Sequence, residues 1–285
     1  MLRLEGDFFD RRAVRFCQNP QSASQTFSVD EKKANFVAIH NVLFMTVIYL
    51  YIFLLATAAS FIQRVSGFGF GIFVMMFFPF FIPTFGEAIT LSGLLAGTTS
   101  LIIAIRNCKY IRWHRIGILF LVNVAVSYFA ISFMAGLGND TLKKGLGVLL
   151  ILIALYFLSK RNRQVLPTRS KKVQTLLGAI SGITGGMFAM PGPPIVLYCI
   201  NAFQDKREYM ATLQALFCCS NIFYTYFRAQ VGFFTGHTLT YAAIGLLGLF
   251  IGTWIGAKCF ERISAPMLKK LVYGMMIVSG LVAIF

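Results

Sequence analysis

Two short stretches hold most of the residues in this chain that are placed to do chemistry. The first reads Ser66-Gly67-Phe68-Gly69-Phe70-Gly71, with Pro79 shortly after it. The second reads Ser181-Gly182-Ile183-Thr184-Gly185-Gly186, followed by Pro191-Gly192-Pro193-Pro194. Glycine lets a backbone turn and approach a ligand closely because it carries no β-carbon. Proline in a first helical turn leaves no N–H unpaired. A helix broken at such a place presents free N–H groups and the positive end of its dipole, which suits an anion. The chemistry implied is recognition by backbone donors. The competing account is close packing, since Gly and Ser at a helix crossing let two backbones touch with no solute between them. Duplication of the cluster favours the binding account, with Ser66, Gly67, Gly69, Gly71, Ser181, Gly182, Gly185, Gly186, Pro191 and Pro193 as candidate site residues.

Other polar residues lie inside apolar runs. Gln63 and Arg64 close such a run just before the first cluster. An arginine within a membrane marks a pathway, although one at a helix end can snorkel to the interface. Arg64 joins the candidates for contact with an anion. Thr98, Thr99 and Ser100 lie within one run, opposite Cys219, Ser220 and Asn221 in another. Ser and Thr usually bond back to their own helix, whereas an amide in an apolar span must pair with neighbours or solute. Asn221 is therefore a candidate; Gln214 shares the argument, and Asn123 is a further case. His40, His114 and His237 fall at the edges of apolar runs, where they read as interfacial residues.

Several function classes are excluded. No GxxxxGK[ST] is present, so the chain does not itself hydrolyse a nucleotide. Glu87 and Glu208 both open apolar runs, and no carboxylate falls in the middle of one, which argues against a carboxylate proton relay. No nucleophile is paired with a base, so an enzyme is not expected. The six cysteines (Cys17, Cys108, Cys199, Cys218, Cys219 and Cys259) form no CxxC and have no histidine at ligand spacing, so neither a metal centre nor a disulfide framework nor a cofactor is expected.

The elements that must position these residues are long apolar helices. Apolar residues make up 57% of the 285, charged residues 13%, and the mean hydropathy is +0.73. A soluble domain usually carries about 25% charged residues. A helix needs about 20 apolar residues to cross the hydrocarbon layer. Full-length candidates are 42–62, 87–105, 116–136, 142–159, 209–227, 238–257 and 267–285, with interrupted segments at Ser66–Pro79 and Ser181–Pro194. The fold expected is an all-α polytopic membrane protein of about 8–9 membrane segments. Its net charge of +16 gathers in short loops between the spans, as in cytoplasmic loops, and does not indicate nucleic acid. The loop 106–115 and the loop 160–173 are the most basic, and both are expected to be cytoplasmic. Residues 1–41 are polar and read as a disordered tail.

The spans fall into two repeated halves, 42–159 and 174–285. Aligning Ser66–Pro79 with Ser181–Pro194 gives six identities in fourteen positions, among them Gly67 with Gly182 and Gly71 with Gly186. Glu87 pairs with Glu208, and Leu142-Lys143-Lys144 with Leu268-Lys269-Lys270. The loop 106–115 has four basic residues where its counterpart 228–237 has only Arg228, and the bias reverses between 137–144 and 258–270. Such a swap is what inverted halves require.

The paired glycine clusters, with Pro79 and Pro191–Pro194, resemble the motifs of the TauE/SafE sulfite-exporter family, also called the toluenesulfonate uptake permease family. The resemblance covers roughly residues 45–285. It departs from the usual run of three adjacent glycines at Phe70 in the first copy and at Thr184 in the second. The resemblance implies a membrane transporter for sulfite, an organosulfonate or another small anion. The function expected is that of a secondary transporter, multi-pass in the plasma membrane, whose partners are the lipid bilayer and a small anionic solute. An anion channel and a non-transporting membrane assembly protein are the alternatives.

Overall fold

The computed structural model describes residues 43, 45–158, 167 and 170–259. The tail 1–41, most of the basic loop 160–173 and the last expected span, 267–285, lie outside the described residues. Contacts divide the chain into two units, Met1–Leu50 and Tyr51–Phe285. The first helix begins in the first unit, and the features discussed below belong to the second.

The described residues form helices, joined by turns, and no strand. In order they are α1 (Met45–Ser66), α2 (Phe70–Met75), α3 (Phe78–Phe81), α4 (Phe85–Arg106), α5 (Gly117–Ala135), α6 (Asn139–Leu158), α7 (Lys171–Phe188), α8 (Gly192–Ala202), α9 (Lys206–Gln230) and α10 (Gly236–Cys259). Two 3₁₀ turns, Cys108–Tyr110 and Trp113–Arg115, link α4 to α5. Among the described residues four helices, α1, α4, α5 and α10, are long and apolar enough to cross a membrane. Helix α9 is as long but carries Thr212, Gln214, Ser220, Asn221 and Arg228, all of them buried. These polar side chains face protein, which can pair polar groups that lipid cannot, while Ile222, Phe223 and Tyr226 on the same helix are exposed.

Corresponding helices in the two halves start alike. The Thr84 side chain accepts from the Glu87 N–H at 3.2 Å, capping α4. The Asp205 carboxylate accepts from the Arg207 and Glu208 N–H groups at 3.3 Å, capping α9. These two helices pack on each other and run antiparallel. Arg112, just beyond the end of α4, pairs with Glu208 at the start of α9. Glu87, at the start of α4, accepts at 2.5 Å from Thr235, just beyond the end of α9.

Each interrupted segment is a hairpin that leaves on the side it entered. In the first half α1 runs inward, the chain breaks, and α2 and α3 return until Phe81 stacks on Tyr51 near the start of α1, centroids 4.9 Å apart. In the second half α7 runs inward along α5, the chain breaks, and α8 returns until the Ala202 carbonyl accepts from Arg115 at 2.8 Å, beside the start of α5. The first hairpin opens on the face where α4 starts and the second on the face where α4 ends. The described parts of the halves are therefore inverted.

The sequence alignment of the glycine clusters needs a correction of register. It sets Gly67 against Gly182 and Gly71 against Gly186, as though both helices broke there. Helix α1 does end at Ser66, but α7 runs unbroken through Ser181, Gly182, Gly185 and Gly186 to Phe188, and its break falls at Ala189–Pro191. The reason is packing. A β-carbon on Gly178 or Gly182 would lie 2.7 Å from the Leu119 or Asn123 carbonyl oxygen, and one on Gly186 would lie 3.1 Å from that of Ser127. These glycines recur every turn on one face and let α7 press its backbone onto α5. Glycines 248, 252 and 256 do the same between α10 and α1, against the carbonyls of Phe53, Thr57 and Phe61. The first helix of each half thus packs on the third long helix of the other.

Candidate functional site

The first break is made by glycine backbone and held by two glutamines. Gly67 and Gly69 have φ of 84° and 103°, in the left-handed region that a side chain strains to enter. Ser66 Oγ stays local, 2.6 Å from the Phe68 carbonyl and 2.8 Å from that of Ile62. Gln214 Nε2 donates to the Gly67 carbonyl at 2.7 Å. Gln63 Nε2 in turn donates to Gln214 Oε1 at 3.0 Å and to Ser100 Oγ at 2.8 Å. One amide chain thus links α1, α4 and α9 at the break.

The second break turns at Ala189, whose φ of 57° makes it the one non-glycine residue in the left-handed region among the described residues. Two sets of side chains hold it. Tyr224 donates to Asn123 Oδ1 at 2.8 Å, Asn123 Nδ2 to Ser181 Oγ at 2.9 Å, and Ser181 to the Pro191 carbonyl at 2.8 Å. Arg228 is fully buried, and its Nη2 donates to the Gly185 and Gly186 carbonyls at 2.6 and 3.0 Å. Its Nη1 donates to the Ile89 carbonyl at 3.0 Å, and its guanidinium lies 5.6 Å from the Tyr224 ring centroid. The Gly185 carbonyl also accepts from the Ala189 N–H at 3.1 Å, so at the end of α7 the cation adds a second bond to Gly185, bonds Gly186 in the last turn, and faces the negative end of the dipole. Gly93 on α4 makes room for it, since a β-carbon there would sit 2.7 Å from Nη1.

The two breaks meet. Gly71, in the first turn of α2, lies so close to the Ala189 carbonyl oxygen that a β-carbon on it would overlap that oxygen. Around this contact is a small cavity of about 30 Å³, room for about one water molecule with the two breaks in contact. The first half supplies Gln63, Gly69, Gly71, Ala96 and Ser100, and the second supplies Ala189, Pro191, Gly192, Phe217 and Asn221. The polar groups on its walls are amides, a hydroxyl and backbone, with no carboxylate. Helix α8 aims its first turn here, but Pro193 and Pro194 leave that turn fewer N–H groups than an ordinary helix start.

Of the residues singled out in the sequence, Gly69, Gly71, Pro191 and Asn221 line this cavity. Ser66, Gly67 and Ser181 stand behind it and fix the breaks. Gly182 and Gly186 pack on α5, and Gly185 lies under Tyr224. Pro193 faces a separate apolar pocket with Leu152 and Leu177. Arg64 lies against Gly256 of α10, away from the cavity. Sequence reasoning left out Arg228 as a site residue because it directly follows an apolar run and reads as the first residue of a loop. Tyr224 went unmarked within the same run.

Helix breaks on two hairpins that open to opposite faces and meet at one cavity are an arrangement found in membrane transport proteins. Residues 52–283 match the family described as sulfite exporter TauE/SafE, and the chain belongs to that family. It is a family of membrane transporters and not of enzymes. No curated protein and no solved structure matches the chain.

Proposed function

We propose that the chain is a secondary transporter of a small anion in the plasma membrane, and that the cavity between the two breaks is its solute site. The observation that carries this reading is the contact of Gly71 with Ala189, which brings a hairpin open to each face onto one cavity. Rocking one half against the other would expose such a site to each face in turn. The lining suits an anion: it holds no carboxylate to repel one, and the Ser100 hydroxyl and backbone N–H groups are donors. The buried Arg228 charge lies behind Asn221, and both approach Gly93. In a low-dielectric interior a nearby positive charge acts more strongly than in water.

The family description favours sulfite or a related sulfur oxyanion as the solute. The face that carries the 3₁₀ turns and the start of α7 holds Lys109, Arg112, Arg115, Lys171 and Lys172, and is cytoplasmic by the positive-inside rule. Uptake of radiolabelled sulfite, sulfate, sulfonates and carboxylates into proteoliposomes tests the reading. Saturable uptake of one anion class, with the carboxylates excluded, is the expected result. Protein-independent leakage of every anion alike would refute it.

A further inference from the structure

Hydrogen-bond directions around Gln63 narrow the kind of anion that fits the cavity. The Gly67 carbonyl can only accept, so the Gln214 group 2.7 Å from it must be the amide nitrogen. Gln214 then turns its oxygen toward Gln63, which must answer with its own nitrogen, 3.0 Å away. That nitrogen spends its second proton on Ser100 Oγ at 2.8 Å. The orientation of both amides thus follows from a fixed backbone acceptor. Gln63 Oε1 is left buried, with no donor from the protein, in a side chain that is 2% exposed and lines the cavity. Ser100 Oγ accepts from Gln63, and its own proton finds no acceptor among the described residues. An acceptor and a donor therefore stand side by side on one wall.

A fully deprotonated oxyanion satisfies the Ser100 hydroxyl but sets an oxygen against Gln63 Oε1. A buried acceptor left unmatched is costly, and a site built to bond a solute O–H rejects the analogue that lacks it. We infer that the solute reaching Gln63 is a singly charged oxyanion that still carries one proton, held by an accept-and-donate pair with Ser100 and Gln63. This rests on the anion reading of the cavity and adds to it the protonation state of the solute.

Hydrogen sulfite and methanesulfonate separate the two ideas. Both carry one negative charge on a sulfur-centred group of three oxygens; the first can carry an acidic O–H, whereas the second has a methyl group on sulfur and no O–H. Their binding to purified full-length protein is measured in mildly acidic buffer by the shift in melting temperature, with uptake into proteoliposomes alongside. Wild type is expected to favour hydrogen sulfite by about tenfold or more in affinity. Gln63→Met removes the acceptor and should bring the two anions within about threefold, the larger loss falling on hydrogen sulfite. Ser100→Ala removes the donor and should weaken both anions. If Gln63→Met does not fold, the wild-type preference and Ser100→Ala still decide. Equal or preferred binding of methanesulfonate by wild type overturns the inference and leaves the anion site standing. A hydrogen sulfite preference that survives in a folded Gln63→Met overturns the role of Gln63. Binding of neither anion overturns both the anion reading and the inference built on it.

Discussion

The α-carbon of Gly71 lies against the carbonyl oxygen of Ala189, and through this contact the break in one half touches the break in the other. Any side chain on Gly71 must push the two breaks apart. Gly182, in the matching glycine cluster of the second half, touches the Asn123 carbonyl on α5 instead. Gly71→Ala and Gly182→Ala should each lower the melting temperature, by an overpacking cost of about 1–3 kcal/mol. Their responses to ligand should differ. The rise in melting temperature on adding sulfite should vanish in Gly71→Ala and persist in Gly182→Ala. Loss of the rise in both variants, or its retention in both, would show that the two glycines do not divide the work as their contacts indicate.

Arg228 and Arg112 present opposite cases of one residue type. The first is fully buried and donates to three backbone carbonyls. The second pairs with Glu208 while its side chain is 51% exposed. Buried hydrogen bonds in membrane proteins contribute about 0.6 kcal/mol each on average, so Arg228→Met should cost roughly 2 kcal/mol, while Arg112→Ala should cost less than about 1 kcal/mol. Thermal melts of both variants in one detergent check the order. A larger loss for Arg112→Ala would contradict the assignment of Arg228 as the group that closes the end of α7.

The inverted hairpins make a topological prediction. Gly236 opens α10 on the face opposite the 3₁₀ turns that carry Trp113–Arg115. In a chain whose native cysteines have been replaced, Gly236→Cys should react with an impermeant maleimide applied to intact cells. His114→Cys should react only after the membrane is opened. Labelling of both positions from outside would rule out the antiparallel arrangement of α4 and α9.

Much of the fold was legible because a bilayer imposes length and composition on whatever crosses it. The expected spans 87–105, 116–136 and 238–257 correspond to α4, α5 and α10. The two glycine clusters were harder to separate. Glycine permits both a left-handed turn, as at Gly67 and Gly69, and a close crossing, as at Gly178 and Gly182; what decides is the neighbour, which the local sequence does not contain. The spacing Gly178–Gly182–Gly186, and the same spacing at Gly248–Gly252–Gly256, was the available signal for packing. The roles of Gln63 and Gln214 were hidden for a related reason. Each amide is explained only by the other and by the Gly67 carbonyl, which sits on a different helix from Gln214.

The central claim, that solute passes through the cavity between the two breaks, is tested most directly by filling that cavity. Ala96 lines it from α4 and has no side-chain hydrogen bond to lose. Ala96→Phe puts a ring larger than this space between the two breaks, at an overpacking cost of about 1–3 kcal/mol, and removes none of the polar groups at Gln63, Gln214 and Arg228. The measurement is sulfite flux into proteoliposomes by wild type and variant at matched, monodisperse protein content. The account predicts a variant that stays folded and monodisperse, melting below wild type, but transports at less than about a tenth of its rate. Saturable flux near the wild-type rate in that folded variant would contradict it.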